Sequence, residues 1–141
     1  MFSFEIAERL SNLQDFVGVF PRDRIPKIVS YPSFIVINTD QSSGPGTHWV
    51  AMRFTENECE YFDSFGLPPL HSEMVSAAQK RKLIWNGRCL QHPSSRTCGE
   101  FCVSFVKMRS RNVSFVKFVR IFNKDTKTND KIVRNICSDQ F

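Results

Sequence analysis

At 141 residues, with 41% hydrophobic and 23% charged residues, the chain is long enough to bury a core of its own, too short for two ordinary domains and too apolar for the disordered class. Its net charge of +5 is one-sided: residues 107–141 hold nine Lys/Arg and three Asp, net +6, whereas residues 1–106 hold ten basic and eleven acidic residues, net −1. The basicity therefore belongs to the tail, and the expected organisation is a single domain over 1–141 with a basic helical C-terminal part from about 107.

The first residues, Met1-Phe2-Ser3-Phe4-Glu5-Ile6-Ala7-Glu8-Arg9, carry acids and lack a basic segment followed by an apolar one, and no uncharged apolar run reaches membrane-spanning length. The expectation is a soluble intracellular protein without a membrane partner. Five cysteines (59, 89, 98, 102 and 137) are an odd number without a secretory signal, so reduced thiols are the default. His48, His71 and His92 raise the question of zinc, but only Cys98 and Cys102 are closely paired, at helix spacing rather than in a CxxC knuckle. No metal site is expected.

In chain order, residues 3 to 16 have the pattern of an amphipathic helix, with Ser3 as a cap and Ile6, Leu10, Leu13 and Val17 on one stripe. Phe16-Val17-Gly18-Val19-Phe20-Pro21 breaks that period, and Pro21, Pro26 and Pro32 keep the next stretch in loop or extended form. Ser33 to Asn38 is a β-branched apolar run, expected as a buried strand, and a Gly/Ser/Pro loop follows through Gly44-Pro45-Gly46. His48 to Phe54 and Glu58 to Ser64 are the next strands, joined by the polar turn Thr55-Glu56-Asn57. Such a hairpin brings the start of one strand to the end of the next, and so His48 to Asp63.

Pro68-Pro69 is placed to start a helix through about Ala78, and Lys82 to Trp85 suggests a strand ending at Asn86-Gly87. From Cys98, Phe101, Cys102, Phe105 and Met108 recur at helical spacing, with Lys107 on the opposite side, which predicts a helix buried on one flank. Asn112 is a candidate cap for a helix with Phe115, Phe118, Val119 and Phe122 on one stripe and Lys117, Arg120 and Lys124 on the other. A last helix is expected from Asn129 to Cys137. The fold class is α+β, a central antiparallel-rich sheet flanked by helices.

A thiol at a helix N-terminus has its thiolate favoured by the dipole and by the free N–H groups of the first turn, which makes Cys98 a candidate nucleophile. Gly99, directly after it, leaves room for a substrate carbonyl. Cysteine hydrolases also need a base, a group that orients the base and donors for the oxyanion. His48, Asp63 and Gln91 supply these in order, although each also has an ordinary reading as a core histidine, a turn aspartate and a solvated glutamine.

The blocks Phe16-Val17-Gly18, Val36-Ile37-Asn38-Thr39, Gly46-Thr47-His48-Trp49-Val50-Ala51, Phe62-Asp63-Ser64-Phe65-Gly66 and Leu90-Gln91-His92-Pro93-Ser94-Ser95-Arg96-Thr97-Cys98-Gly99-Glu100-Phe101-Cys102 resemble, in order, the adenovirus maturation protease family. That family falls within the larger group of SUMO and ubiquitin-like-protein proteases. The resemblance implies a papain-like core in permuted order, with His48, Asp63, Gln91 and Cys98 as catalytic residues and Trp49 walling the site. It further implies a viral or virus-like endopeptidase that matures structural or precursor proteins at extended, glycine-containing segments, acting as a monomer in the host nucleus and virion. No cofactor is required for that chemistry, but the adenoviral enzyme is activated by a disulfide-linked peptide and by DNA, so the resemblance admits both here. The chain departs from the family in being shorter after the central helix and in having Asp where the adenoviral enzyme often has Glu. The readings kept open beside it are a deconjugase of ubiquitin-like proteins and a catalytically idle DNA-binding module using Lys117, Arg120 and Lys124.

Overall fold

The β-branched run at Ser33–Asn38 is the second of five strands in the computed structural model, which describes residues 1–139. The strands are β1 (Phe16–Pro21), β2 (Ser33–Asn38), β3 (Trp49–Phe54), β4 (Glu58–Phe62) and β5 (Lys82–Trp85), and they lie in one sheet in chain order. β2, β3 and β4 are antiparallel, as expected for the sheet centre, while β1 and β5 run parallel to their neighbours. The parallel pairs follow from long connections: a proline-rich crossover with a 3-10 turn at Arg22–Arg24 links β1 to β2, and α2 (Ser72–Ala78) lies between β4 and β5.

β1 is where local periodicity misleads. The first helix, α1 (Ser3–Leu10), stops six residues short of the expected 16, because Phe16 to Pro21 finds a strand partner in β2, pairing Phe16 with Phe34 and Phe20 with Ile37. Ser3 lies inside α1 and Phe2 takes the cap position. Likewise α2 begins at Ser72, three residues after Pro68-Pro69.

The sheet is covered on both sides. Ile35, Ile37, Val50, Met52, Phe54, Cys59 and Tyr61 pack with Met74 and Ala78 of α2 on one face. Phe34, Val36, Ala51 and Phe62 pack on the other against α3 (Cys98–Ser110), α1, α4 (Phe115–Arg120) and α5 (Asn129–Ser138). Two-sided cover explains why β2 is apolar at successive positions instead of alternating.

α3 is buried more fully than its period predicts: Phe101 through Val106 are all buried, because the helix is enclosed by the sheet, α1, α4 and α5 rather than resting on one flank. Phe62 is the hinge of an aromatic cluster, its ring stacked on Phe105 at 5.1 Å and edge-on to Phe118 at 5.4 Å. Glu60 is 6% exposed on that face, and Arg109 of α3 meets its carboxylate through two hydrogen bonds of 2.8 and 2.7 Å. The side chain capping α4 is Ser114, whose Oγ accepts from Lys117 N, and not Asn112, which takes a left-handed φ of 67° after α3. Phe115, Phe118 and Phe122 are buried as expected, and Lys117, Arg120 and Lys124 are exposed. α5 matches its predicted span to within a residue.

Candidate active site

Each of the four candidate residues sits at the end of an element, and the sheet brings these ends together. Cys98 opens α3, His48 immediately precedes β3, Asp63 immediately follows β4, and Gln91 lies on the loop between β5 and α3. Pairing of Ala51 with Phe62 sets the ends of β3 and β4 side by side, so that His48 Nε2 and Asp63 Oδ1 are 2.7 Å apart. With Nε2 committed to the carboxylate, Nδ1 is the ring nitrogen left to face Cys98, and the two groups lie close enough for each to shift the other's protonation. The His48 ring also stacks on Phe65, with centroids 5.0 Å apart, which fixes its plane.

The electrostatics of the pair are set by opposing effects. Burial is the largest single influence on His48 and disfavours its charge, yet the hydrogen bonds and charges of Asp63 and Cys98 together outweigh it and push the imidazole up to about 9. For Cys98, burial favours the neutral thiol. Hydrogen bonds from His48 and from the backbone of Trp49 and Gly99 prevail, and the thiol lies below its ordinary value. The two shifts point the same way, toward a proton held on the imidazole and a thiolate at the helix start.

Asp63 is 4% exposed and is held at several points. Its Oδ1 also accepts from Phe65 N at 3.0 Å, its N–H donates to Asn86 Oδ1 at 3.0 Å, and its carbonyl accepts from Asn86 Nδ2 at 2.6 Å. Asn86 has only a turn signature in the sequence, beside Gly87, and its grip on Asp63 depends on β5 lying next to β4. Gln91 is buried, with Oε1 accepting from Ser64 Oγ at 2.6 Å and Nε2 donating to Ser95 O at 3.0 Å. That leaves the second N–H of the amide for the cleft that Gln91 lines together with His48, Trp49 and Cys98.

The loop before Cys98 is anchored by the C-terminal part of the chain. Asp130, in the first turn of α5, accepts from Ser95 Oγ at 2.7 Å and Thr97 Oγ1 at 2.8 Å. Asn129, fully buried, donates to the carbonyls of Leu90 and Asn123 and accepts from Asn123 N. Sequence reading assigned these residues only to a helix start. One other assignment changes in detail. Gly99 backs onto Met1, whose Cβ would lie 2.8 Å from an added Cβ, so its lack of a side chain accommodates Met1 rather than opening space in the cleft. Trp49 walls the cleft and is steadied by its Nε1–H donating to Met1 O at 3.0 Å. Lys117, Arg120 and Lys124 lie on α4 and just after it and do not line this cleft. No group of three or more His, Cys, Asp and Glu among the described residues has the arrangement of a metal site.

The architecture, a five-stranded mixed sheet packed on a buried helix that opens at Cys98, is consistent with a papain-like core, and the candidate residues follow in the order His48, Asp63, Gln91, Cys98. The same fold is found in the crystal structure of the African swine fever virus protease, which superposes with a TM-score of 0.63 at 20% identity over 96% of this chain and 65% of that one. A crystal structure of the selenomethionine version of that protease gives 0.59 at 19% identity over 97% of this chain and 66% of that one. In sequence, the chain is 28% identical over 148 aligned positions to the SUMO-1 cysteine protease of African swine fever virus from a South African tick isolate, covering 89% of this chain and 54% of the relative. The cysteine protease of a Malawian tick isolate is 30% identical over 98 positions, 60% of this chain. The chain thus spans about half the length of the curated relatives it matches. No family model matches. Some of these relatives carry the SUMO-1 protease name and others are named only as cysteine proteases, which fits the broader group of SUMO and ubiquitin-like-protein proteases and does not single out the adenoviral branch.

Proposed function

We propose that this chain is a cysteine endopeptidase of viral or virus-like origin. The observation that carries the reading is His48, bonded at Nε2 to Asp63 and facing Cys98 at the first turn of α3. The Cys98 thiolate attacks the scissile carbonyl, the oxyanion is met by the Gln91 amide and the first-turn N–H groups, and the His48 imidazolium protonates the leaving amine. His48 then takes a proton from water, which attacks the thioester, releases the second product and restores Cys98. Asp63 orients the imidazole and favours its charged form. The chemistry runs on side chains and backbone donors alone. Substrates are extended, glycine-containing segments of structural or precursor proteins, as the resemblance to the adenoviral family implies.

The test is direct. Cys98→Ala should abolish peptide turnover and labelling by an electrophilic thiol probe while leaving the fold intact, and residual turnover by that variant would exclude Cys98 as nucleophile. Gln91→Ala should lower kcat by roughly a hundredfold, the usual effect of losing one oxyanion donor. The relatives' name favours a second reading, a deconjugase of ubiquitin-like proteins. Assay of SUMO and ubiquitin conjugates beside precursor-type peptides separates the two by which is cleaved. For the exposed, one-sided placement of Lys117, Arg120 and Lys124 we propose an accessory role in sequence-independent DNA binding.

A further inference from the structure

The cleft at Cys98 is charged with one sign. Apart from His48 and Cys98, its ionisable lining side chains are Arg24 and Arg96, and no carboxylate is among the described residues that line it. Both arginines are exposed, and neither makes an ion pair with another described residue. Each is presented by a fixed piece of backbone. Arg96 stands between Ser95 and Thr97, whose hydroxyls both bond Asp130 Oδ1. Arg24 ends the 3-10 turn that is tied to the 39–42 loop by Arg22 donating to Thr39 O and by Asp23 accepting from Ser42. Two carboxylates adjoin the cleft without lining it: Asp23, held low chiefly by the Ser42 hydroxyl and also by the Arg24 charge, accepts from Ser42 N and Oγ, and Asp40 accepts from Gln41 N and Gly46 N. The rest of the lining is apolar, hydroxyl, amide or glycine, which recognises backbone and shape but not charge.

We propose that the cleft selects extended peptide segments bearing acidic side chains close to the bond to be cut, with Arg24 and Arg96 as the residues that set this preference. The proposal rests on the endopeptidase reading and deepens it. Exposed pairs are individually weak, so each arginine contributes a rate preference of roughly two- to fivefold, and the pair acting on one substrate about tenfold. The preference is a ratio, and that matters for testing it. A charge change at Arg96, two residues from Cys98, alters the thiol's surroundings and so the rate with every peptide, whereas the acidic-to-basic ratio cancels that common factor.

The experiment uses three short fluorescein-labelled peptides with a central Gly-Gly, flanked by Asp/Glu, Ser or Lys. For the unaltered protein, kcat/KM should fall in the order acidic, neutral, basic, with a spread of about tenfold that shrinks as salt rises. Arg24→Glu and Arg96→Glu should each narrow the acidic-to-basic ratio, and together invert it, while Lys117→Ala/Arg120→Ala/Lys124→Ala should leave it unchanged. Equal rates for the three peptides, or a ratio removed by the tail variant and kept by the arginine variants, would overturn the proposal. Anisotropy binding of the same peptides to Cys98→Ala supplies a readout independent of turnover. If no peptide is cut and no thiol probe labels Cys98, the endopeptidase reading fails, yet the binding ratio still decides the charge preference.

Discussion

Whether Cys98 is a nucleophile turns on where one proton rests between Cys98 and His48, and the direction of both shifts places it on His48. Because the groups are coupled, the pH profile of kcat/KM should be bell-shaped with limbs that belong to the pair. The acid limb should lie below the ordinary thiol range, and the alkaline limb, where the imidazolium is lost, near about 9. Asp63→Asn still orients the ring but no longer stabilises its charge, so the alkaline limb should move to lower pH and kcat should fall, less than with His48→Ala. An alkaline limb unmoved in that variant would mean that Asp63 does not support the imidazolium. The same shift bears on stability. A histidine raised from 6.5 to about 9 contributes in full below 6.5, where both folded and unfolded chains are charged, and the contribution is lost as pH rises through about 9.

The elements of the site depend on parts of the fold that touch no substrate. α5 holds the approach to Cys98 through Asp130, and Asp130→Ala should therefore lower kcat with little change in KM and cost about 1 kcal/mol in urea unfolding, because two hydroxyls lose their partly buried acceptor. Asp130→Asn, whose amide oxygen still accepts, should restore most of the rate, which a loss of bulk charge alone would not allow. The seat of α3 against the sheet is aromatic. Phe62→Ala should remove the ring that meets Phe101, Phe105, Phe115 and Phe118 and cost about 3–5 kcal/mol, read as a lower denaturation midpoint at unchanged m. A loss under 1 kcal/mol would mean that the cluster closes over the gap.

At the largest scale the charge is divided in place, and the two roles proposed for it follow that division. Lys117, Arg120 and Lys124 are exposed on the part of the chain that carries net +6, away from the cleft. Sequence-independent DNA binding should be in the micromolar range at moderate salt, with a log-log slope that drops by roughly one unit for each phosphate-contacting cation removed. Titration of fluorescent duplexes with the unaltered protein and with the triple alanine variant measures this, and identical slopes would leave the α4 face a solvated surface.

Features encoded by short-range chemistry could be read without the fold. The β-branched run of β2, the hairpin that joins β3 and β4 and the apolar helix opening at Cys98 were legible because periodicity and turn residues act within a few positions. The pairing of His48 with Asp63 was legible too, since an antiparallel hairpin dictates which ends meet. Tertiary structure alone decided the rest. Phe16–Pro21 became a strand because β2 offered its edge, and α3 was enclosed on all sides because four elements converge on it. Asn86, Ser64 and Asp130 became holders of the site through partners 23, 27 and 33–35 residues away, separations at which no local signal survives. A hydrogen bond across such a distance depends on the whole chain being folded, and an isolated asparagine, serine or aspartate reads the same with or without it.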